Sequence, residues 1–320
     1  MIDHSFTQHE YAARLAKTRA EMANRGLDAL FVTDPSNMAW LAGYDGWSFY
    51  VHQGVLLTHE GQPVWWGRAM DSAGAQRTTY LDDDNIVGYD DTYVQNPDKH
   101  PMEDLARLIA DRGLENARIG FELDNYYFTA SAFLTLQTRL PGVNIQNATA
   151  LVNWQRAVKS PTELEYMRRA ARIVERMHEV IREKAEVGMR KNDLIADIYH
   201  ASVSGAEGHW GDYPACVPMT PSGLDATAPH ITWDDAPLRN NEGTFFEIAG
   251  AHRRYQCPQS RTLFLGKPPQ KYLHAENAVL EAIDAGLEQA KPGNRCEDIA
   301  RAFNTTLRNR GFEKDSRCGY

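Results

Sequence analysis

The stretch Val158-Lys159-Ser160-Pro161-Thr162-Glu163 constrains this chain more than any other. Ser160 is a natural N-cap, because its hydroxyl can accept a hydrogen bond from a free N–H of a first helical turn. Pro161 suits the first helical position, where no N–H is needed and φ is already set. Glu163, two residues on, can return its carboxylate to the Ser160 N–H and close a capping box. A helix is therefore predicted from here, with Leu164, Met167, Ala171, Val174, His178 and Ile181 on one stripe and Gly188 as its stop. So sharp a start divides the 320 residues, too many for one small core, into domains 1–158 and 159–320.

The first domain alternates helical and strand patterns. Thr7 and Glu10 form a capping-box pair, followed by Tyr11, Leu15 and Met22 at helical spacing, with Thr18 interrupting the apolar stripe and Gly26 as the stop. Short apolar runs follow at 29–32, 54–57 and 63–66, then a helix from Met102 to Arg112 and a strand over Arg118–Glu122. This alternation predicts an α/β domain with a largely covered sheet. The second domain reads as α+β. Residues 201–240, rich in Gly, Pro, Ser and Asp, look like strands separated by long loops. Thr244–Ala249 and Arg261–Leu265 are strand candidates flanking a turn region. A helix over Tyr272–Ala290 closes at Lys291-Pro292-Gly293, and Asn294 with Glu297 starts another that ends near Gly311.

Composition removes whole classes of function. The net charge is −9, from 34 basic and 43 acidic residues, and no basic run gives a reason to bind nucleic acid or an anionic membrane. No apolar stretch approaches the roughly 20 residues that span a bilayer, and MIDHSFTQHEY lacks the regions of a signal peptide. The four cysteines, Cys216, Cys257, Cys296 and Cys318, are scattered without a CxxC pair, so neither a zinc site nor a disulfide framework is indicated. A cytoplasmic protein is expected. The chain also lacks GxxxxGK[ST], a GxGxxG after a strand, GxSxG and HExxH, which disfavours nucleotide chemistry and the commonest serine and zinc hydrolases.

Three features can carry chemistry. His230 closes the Gly/Pro-rich segment Pro218–His230 and is either a general acid/base or a loop histidine bonded to backbone. Glu247, in TFFEIA, shares a strand face with Phe245 while Phe246 and Ile248 take the other. It lies on a solvated face or is buried against a cation. The aromatic patch Tyr44–His52, with Trp47, Phe49 and Tyr50, can stack on a flat or cationic ligand or serve a core or interface. The pairs His200/His209 and His52/His59 read as structural.

Together these segments resemble the creatinase/aminopeptidase-P superfamily, whose catalytic domain has the pita-bread fold. The residues that carry the likeness are Gly26–Leu30, Asp34–Asn37 and Leu41–Tyr44 in the first domain. In the second they are Lys159–Glu165, Ser222-Gly223 with Ala226 and His230, Arg261–Phe264 and Lys291–Gly293. The resemblance covers essentially the whole chain. It implies an α/β creatinase-type N-terminal domain followed by an α+β pita-bread catalytic domain. By the same likeness Tyr320 falls inside the catalytic domain, so the chain is expected to be incomplete at its C-terminus.

Metal-dependent members place aspartates fourteen and three residues before the arginine of the RT strand. Those positions here hold Glu247 and Pro258, and Tyr320 stands where a histidine ligand is expected. Proline has no side-chain donor. The resemblance therefore points to the metal-free, creatinase-like branch, with no metal and no cofactor. GHWGDYP (208–214) and EIAGAHRRYQCP (247–258) place it nearest to members that open a small cyclic amidine bearing a carboxylate. On that reading Glu247 orients the amidinium, activates water or attacks the amidine carbon, and His230 moves the proton. Arg68, Arg253 or Arg254 holds the carboxylate. Trp47, Phe49 and Tyr50 lie over the neighbouring subunit's pocket in a homodimer. Competing expectations are creatinase itself, an Xaa-Pro dipeptidase or aminopeptidase with an altered metal site, and a catalytically silent binding module.

Overall fold

The computed structural model describes residues 5–228 and 230–314. The 317–320 segment, with Cys318 and the Tyr320 position, lies outside them. Contacts divide the chain into two compact units, Met1–Glu165 and Tyr166–Tyr320.

The first unit contains α1 (Gln8–Asn24), β1 (Ala29–Val32), α2 (Pro35–Ala42), β2 (Gly54–Thr58), β3 (Val64–Arg68), α3 (Ser72–Thr78), β4 (Ile86–Tyr89), α4 (Met102–Asp111), β5 (Arg118–Phe121), α5 (Ala130–Arg139), β6 (Asn144–Asn147) and α6 (Leu151–Gln155). The sheet order is β4-β3-β2-β1-β5-β6. Only β2 runs against its neighbours. The carboxyl ends of five strands and the start of β2 therefore share one edge, where α/β sheets commonly bind ligands. The four-residue apolar runs are buried on both faces, as covered sheets require. Leu30, Val32 and Trp65 pack with Met22, Met38, Leu41 and Leu151, while Phe31, Leu56 and Trp66 pack with Leu105, Ile109 and Leu136.

Two local expectations need correcting here. The Thr7 hydroxyl accepts from the Glu10 N–H at 3.3 Å, but the Glu10 carboxylate turns instead to Arg14 (2.8 Å) and to the Ser160 hydroxyl (2.6 Å). Thr18 does not interrupt the buried stripe, because its hydroxyl donates to the Arg14 carbonyl at 3.0 Å and the residue is fully buried. The box at Ser160 closes in both directions. The Ser160 N–H donates to Glu163 at 2.7 Å, and the Glu163 N–H donates to the Ser160 hydroxyl at 3.2 Å. The buried Glu163 carboxylate also takes the Trp40 indole N–H at 3.0 Å.

The next helix, α7 (Pro161–Lys184), runs into the second unit. There follow α8 (Lys191–Ser204), β7 (Glu242–His252), β8 (Tyr255–Leu265), α9 (Gln270–Gln289) and α10 (Cys296–Asn309). The buried stripe of α7 includes Val174, His178 and Ile181 as expected and adds Ala170, Ile173 and Met177, while Met167 and Ala171 are half-buried and Leu164 is exposed. The added positions are buried because Phe246 and Ile248 of β7 and Leu194, Ile195 and Ile198 of α8 meet α7 on that side. Gly250 permits the approach: a Cβ there would lie 2.3 Å from the Ala170 carbonyl oxygen and 2.6 Å from the Val174 nitrogen.

Strands β7 and β8 are longer than the sequence pattern suggests, and they take in residues 250–260, where a turn region is expected. They form one antiparallel hairpin closed by Arg253-Arg254, both with positive φ (48° and 70°). A two-residue loop of this kind usually announces itself with Asn-Gly or Asp-Gly, and two arginines give no such signal. Residues 205–241, in turn, hold no strand ladder among the described residues, only isolated bridges and the short 3-10 turn Gly223–Thr227. No helix among the described residues is long and apolar enough to cross a membrane.

Candidate active site

In a two-residue hairpin the residues flanking the loop, His252 and Tyr255, form a hydrogen-bonded pair, and the two kinds of pair then alternate along the ladder. Glu247 opposite Ser260 and Ala249 opposite Pro258 are consequently non-hydrogen-bonded pairs. Their main-chain groups point away from the hairpin. Pro258 thus costs the ladder no bond. Glu247 uses its outward groups on the other side, where its N–H donates to Met219 and its C=O accepts from Met219, both at 3.0 Å. Segment 219–222 continues alongside β7, with the Ser222 and Thr244 hydroxyls 2.8 Å apart.

The strand alternation agrees with the expectation. Phe246 and Ile248 are buried against α7, while Phe245 and Glu247 are half-buried on the opposite face. Glu247 and Pro258 share that face as diagonal neighbours across the hairpin. Two carboxylates at these positions would converge, which is why this pair of positions suits a metal. Proline at one of them leaves a lone carboxylate. Among the described residues no group of three or more His, Cys, Asp or Glu could hold a metal ion. With proline at 258, the described residues of the hairpin do not by themselves fit a dinuclear centre. Near Glu247 lies the Cys216 thiol, which burial and then the Glu247 charge hold above its ordinary pKa. Cys216, Cys257 and Cys296 are all free thiols.

From Ser222 the chain enters the 3-10 turn, where Gly223 takes a left-handed backbone (φ +58°) that strains any side-chain-bearing residue. His230 follows, exposed and with φ of 65°. Segment 219–222 brings the loop that carries His230 to the flank of β7, yet among the described residues no hydrogen bond joins His230 to Glu247.

Of the three arginines expected to hold a carboxylate, Arg253 and Arg254 belong to the same unit as Glu247 and to the same hairpin. They occupy the hairpin tip, six and seven residues from Glu247, or about 20 Å along the backbone. The Arg254 guanidinium lies 4.4 Å from the centre of the Tyr213 ring, and that of Arg253 lies 5.8 Å from Tyr166. Asp212, buried, takes the Arg254 and Tyr213 N–H groups and clamps the tip. Nothing in the sequence of segment 208–214 signals that role, which depends on a partner 42 residues away. Arg68, at the carboxyl end of β3, is engaged by a two-pronged ion pair with Asp91, which raises its pKa further.

At the strand-carboxyl edge of the first unit, Trp47 and Tyr50 are exposed, and Phe49 lies between them and the Tyr127 ring. Ring centres are 5.1 Å apart for Trp47–Phe49, 6.0 Å for Trp47–Tyr50 and 6.0 Å for Phe49–Tyr127. Tyr126, fully exposed, and Tyr127 extend the patch from the loop after β5. Glu122, at the start of that loop, is buried and takes the N–H groups of Thr33 and Asp34 at 2.7 and 2.8 Å and the Asn37 amide at 2.6 Å. Burial nonetheless raises its pKa. Its partners lie 85 to 89 residues away, so a strand-end glutamate gives no hint of this function in the sequence.

Residues 14–158 match the creatinase/prolidase N-terminal domain, and residues 165–320 match metallopeptidase family M24. The chain is 56% identical to an ectoine hydrolase of Halomonas elongata, over 98% of its own length and 81% of the relative's. It is 37% identical to an uncharacterized hydrolase/peptidase of Sinorhizobium fredii, with 98% and 81% covered. A prolidase from Thermococcus sibiricus has the same pita-bread fold, with a TM-score of 0.80, 17% identity and coverage of 94% of this chain and 78% of that one.

Proposed function

Because the chain belongs to metallopeptidase family M24, with a creatinase/prolidase N-terminal domain, and is a hydrolase, we propose that it hydrolyses the cyclic amidine ectoine to N-acetyl-2,4-diaminobutyrate without a metal ion. The choice of substrate rests on the 56% identity to an ectoine hydrolase. The chemistry rests on one observation: Glu247 and Pro258 occupy the diagonal pair of positions on the half-buried face of the hairpin, so this pair offers one carboxylate and no second donor.

A lone carboxylate beside Phe245 suits a delocalised amidinium, since a charge-assisted hydrogen bond strengthens where water is sparse. Water adds to the amidine carbon and the tetrahedral adduct collapses with cleavage of one ring C–N bond. Glu247 either takes the proton of the attacking water or forms the first bond to carbon itself, water then releasing the acyl group. His230 delivers the proton to the departing ring nitrogen, which leaves as an amine. In this reading the enzyme is a cytoplasmic homodimer, and the Trp47–Tyr50 patch of one copy covers the pocket of the other, where aromatic faces attract the cationic ring.

The test is turnover of ectoine followed by NMR. Glu247→Gln and His230→Ala should each lower kcat by about 10²–10⁴-fold while the far-UV dichroism stays unchanged, and full activity in either variant refutes the assignment. Exhaustive chelation should leave the rate unchanged. Loss of activity on chelation with recovery on Mn²⁺ or Zn²⁺, together with cleavage of an Xaa-Pro dipeptide, would replace this reading by the peptidase one.

A further inference from the structure

Glu247 lies between segment 219–222 on one side and β8 on the other. Residues directly opposite one another in an antiparallel pair put their side chains on the same face. Across that face Met219, Glu247 and Ser260 form one row, and Pro221, Phe245 and Thr262 form the next. The two flanks differ in chemistry: Met219 and Pro221 are apolar and buried, whereas Ser260 and Thr262 carry hydroxyls and are exposed. Ser260 stands directly across the hairpin from the carboxylate. Because that pair is non-hydrogen-bonded, its two Cβ atoms come within about 5 Å of each other.

We propose that Ser260 is a further catalytic residue of this site, its hydroxyl and the Glu247 carboxylate together holding the water that attacks the amidine carbon. The inference rests on the assignment of Glu247 to catalysis and deepens it by naming the group that orients the nucleophile. Among the described residues neither the Glu247 carboxylate nor the Ser260 hydroxyl is engaged in a hydrogen bond, so both are available to a third oxygen. A separation of about 5 Å between the Cβ atoms suits one water bridging the long glutamate arm and the short serine arm. The Ser260 main chain is held in place, since its C=O accepts the Arg261 guanidinium at 2.8 Å.

A water held this way donates one O–H to Glu247 and the other to the Ser260 oxygen, which leaves a lone pair facing the amidine carbon. As the new C–O bond forms, Glu247 takes the first proton, which selects the general-base route for that residue. The ring C–N bond then breaks, its electron pair leaves with nitrogen, and His230 protonates that nitrogen. Ser260 neither gains nor loses a proton. Its contribution is orientation, so it acts on kcat rather than on ground-state binding. Met219, on the opposite flank, cannot substitute, because a thioether accepts hydrogen bonds only weakly.

Ser260→Val and Ser260→Thr test this, because both side chains are β-branched and suit a strand while only threonine keeps a hydroxyl. Ser260→Val should lower kcat for ectoine about tenfold with KM within about threefold, and Ser260→Thr should recover most of the rate. Ser260→Ala, which adds no bulk, should show the same loss as valine. Thr262→Val removes the hydroxyl opposite Phe245 rather than Glu247 and should leave kcat within about twofold. Wild-type kcat in Ser260→Val and Ser260→Ala, a raised KM at unchanged kcat, or equal losses in the valine and threonine variants overturns the proposal. Glu247→Gln separates the two readings. If it retains full activity the assignment of Glu247 fails, whereas an inactive Glu247→Gln beside a fully active Ser260→Val removes Ser260 alone.

Discussion

Replacing Gly250 by alanine tests the packing that holds the candidate carboxylate in place. Gly250 lies on the buried face of β7, three residues beyond Glu247, directly under α7. The added methyl would fall 2.3 Å from the Ala170 carbonyl oxygen, 2.6 Å from the Val174 nitrogen and 3.1 Å from the Ile173 Cβ. Two of the three are main-chain atoms of a helix and cannot swing aside as a side-chain tip does. Ordinary contact begins about 1 Å further out, so strand and helix must part by about that distance across a close-packed core. Overpacking of this kind costs about 1–3 kcal/mol. For a unit of this size that corresponds to about 2–12 °C in the unfolding midpoint. Differential scanning calorimetry reads the shift, and ectoine turnover reads the effect on Glu247, which should fall along with stability. A Gly250→Ala protein with the wild-type melting profile would refute the contact between β7 and α7, and with it the reason that Glu247 faces away from the core.

Gly74 has the opposite expectation. It sits inside α3, and a methyl added there would have nothing within 4 Å. Gly74→Ala should therefore stabilise the first unit by about 0.5–1 kcal/mol in urea titration; destabilisation refutes the open environment. A further expectation concerns pH. His178 is 6% exposed with an unpartnered Nε2, and burial, followed by Arg261 and Arg182, pushes it down to about 4 against the Gln259 main-chain bond that raises it. Below its unfolded value near 6.5 the unfolded chain takes up a proton that the folded one refuses. Stability should fall as pH drops from 6.5 toward 4, by about 1.4 kcal/mol per pH unit. His178→Asn should remove about 2 kcal/mol of the difference between pH 6.5 and pH 5 measured by urea titration. An equal pH dependence in variant and wild type would show that His178 is not the group responsible.

Features legible in the sequence are those set by neighbouring residues. The Ser160–Glu163 box closes between groups three residues apart, so hydroxyl, proline ring and carboxylate at the right offsets suffice to begin α7. Period-two alternation likewise puts Glu247 and Phe246 on opposite faces of β7 whatever the strand packs against. The likeness to creatinase-type proteins supplies the pairing of positions 247 and 258, and the antiparallel register explains why they share a face.

Other features depend on residues distant in sequence. The Arg253-Arg254 loop carries no turn signal, and its positive φ values hold because Asp212 clamps the tip from 42 residues away. Without that loop the hairpin cannot be read as one long ladder, and Arg253 and Arg254 cannot be seen to lie far from Glu247. Arg68 looks free to hold a carboxylate until the sheet order sets the end of β3 beside Asp91. His52 reads as merely structural in the sequence. Its packing on His100 and the Tyr89 hydroxyl on its carbonyl exist only because the sheet brings the end of β4 and the start of β2 to one edge. The sequence by itself determined where the helix at Pro161 begins and which strand faces are apolar. The tertiary structure decided which charges already have partners, because hydrogen bonds and ion pairs act over a few ångströms and only the folded sheet makes distant residues neighbours.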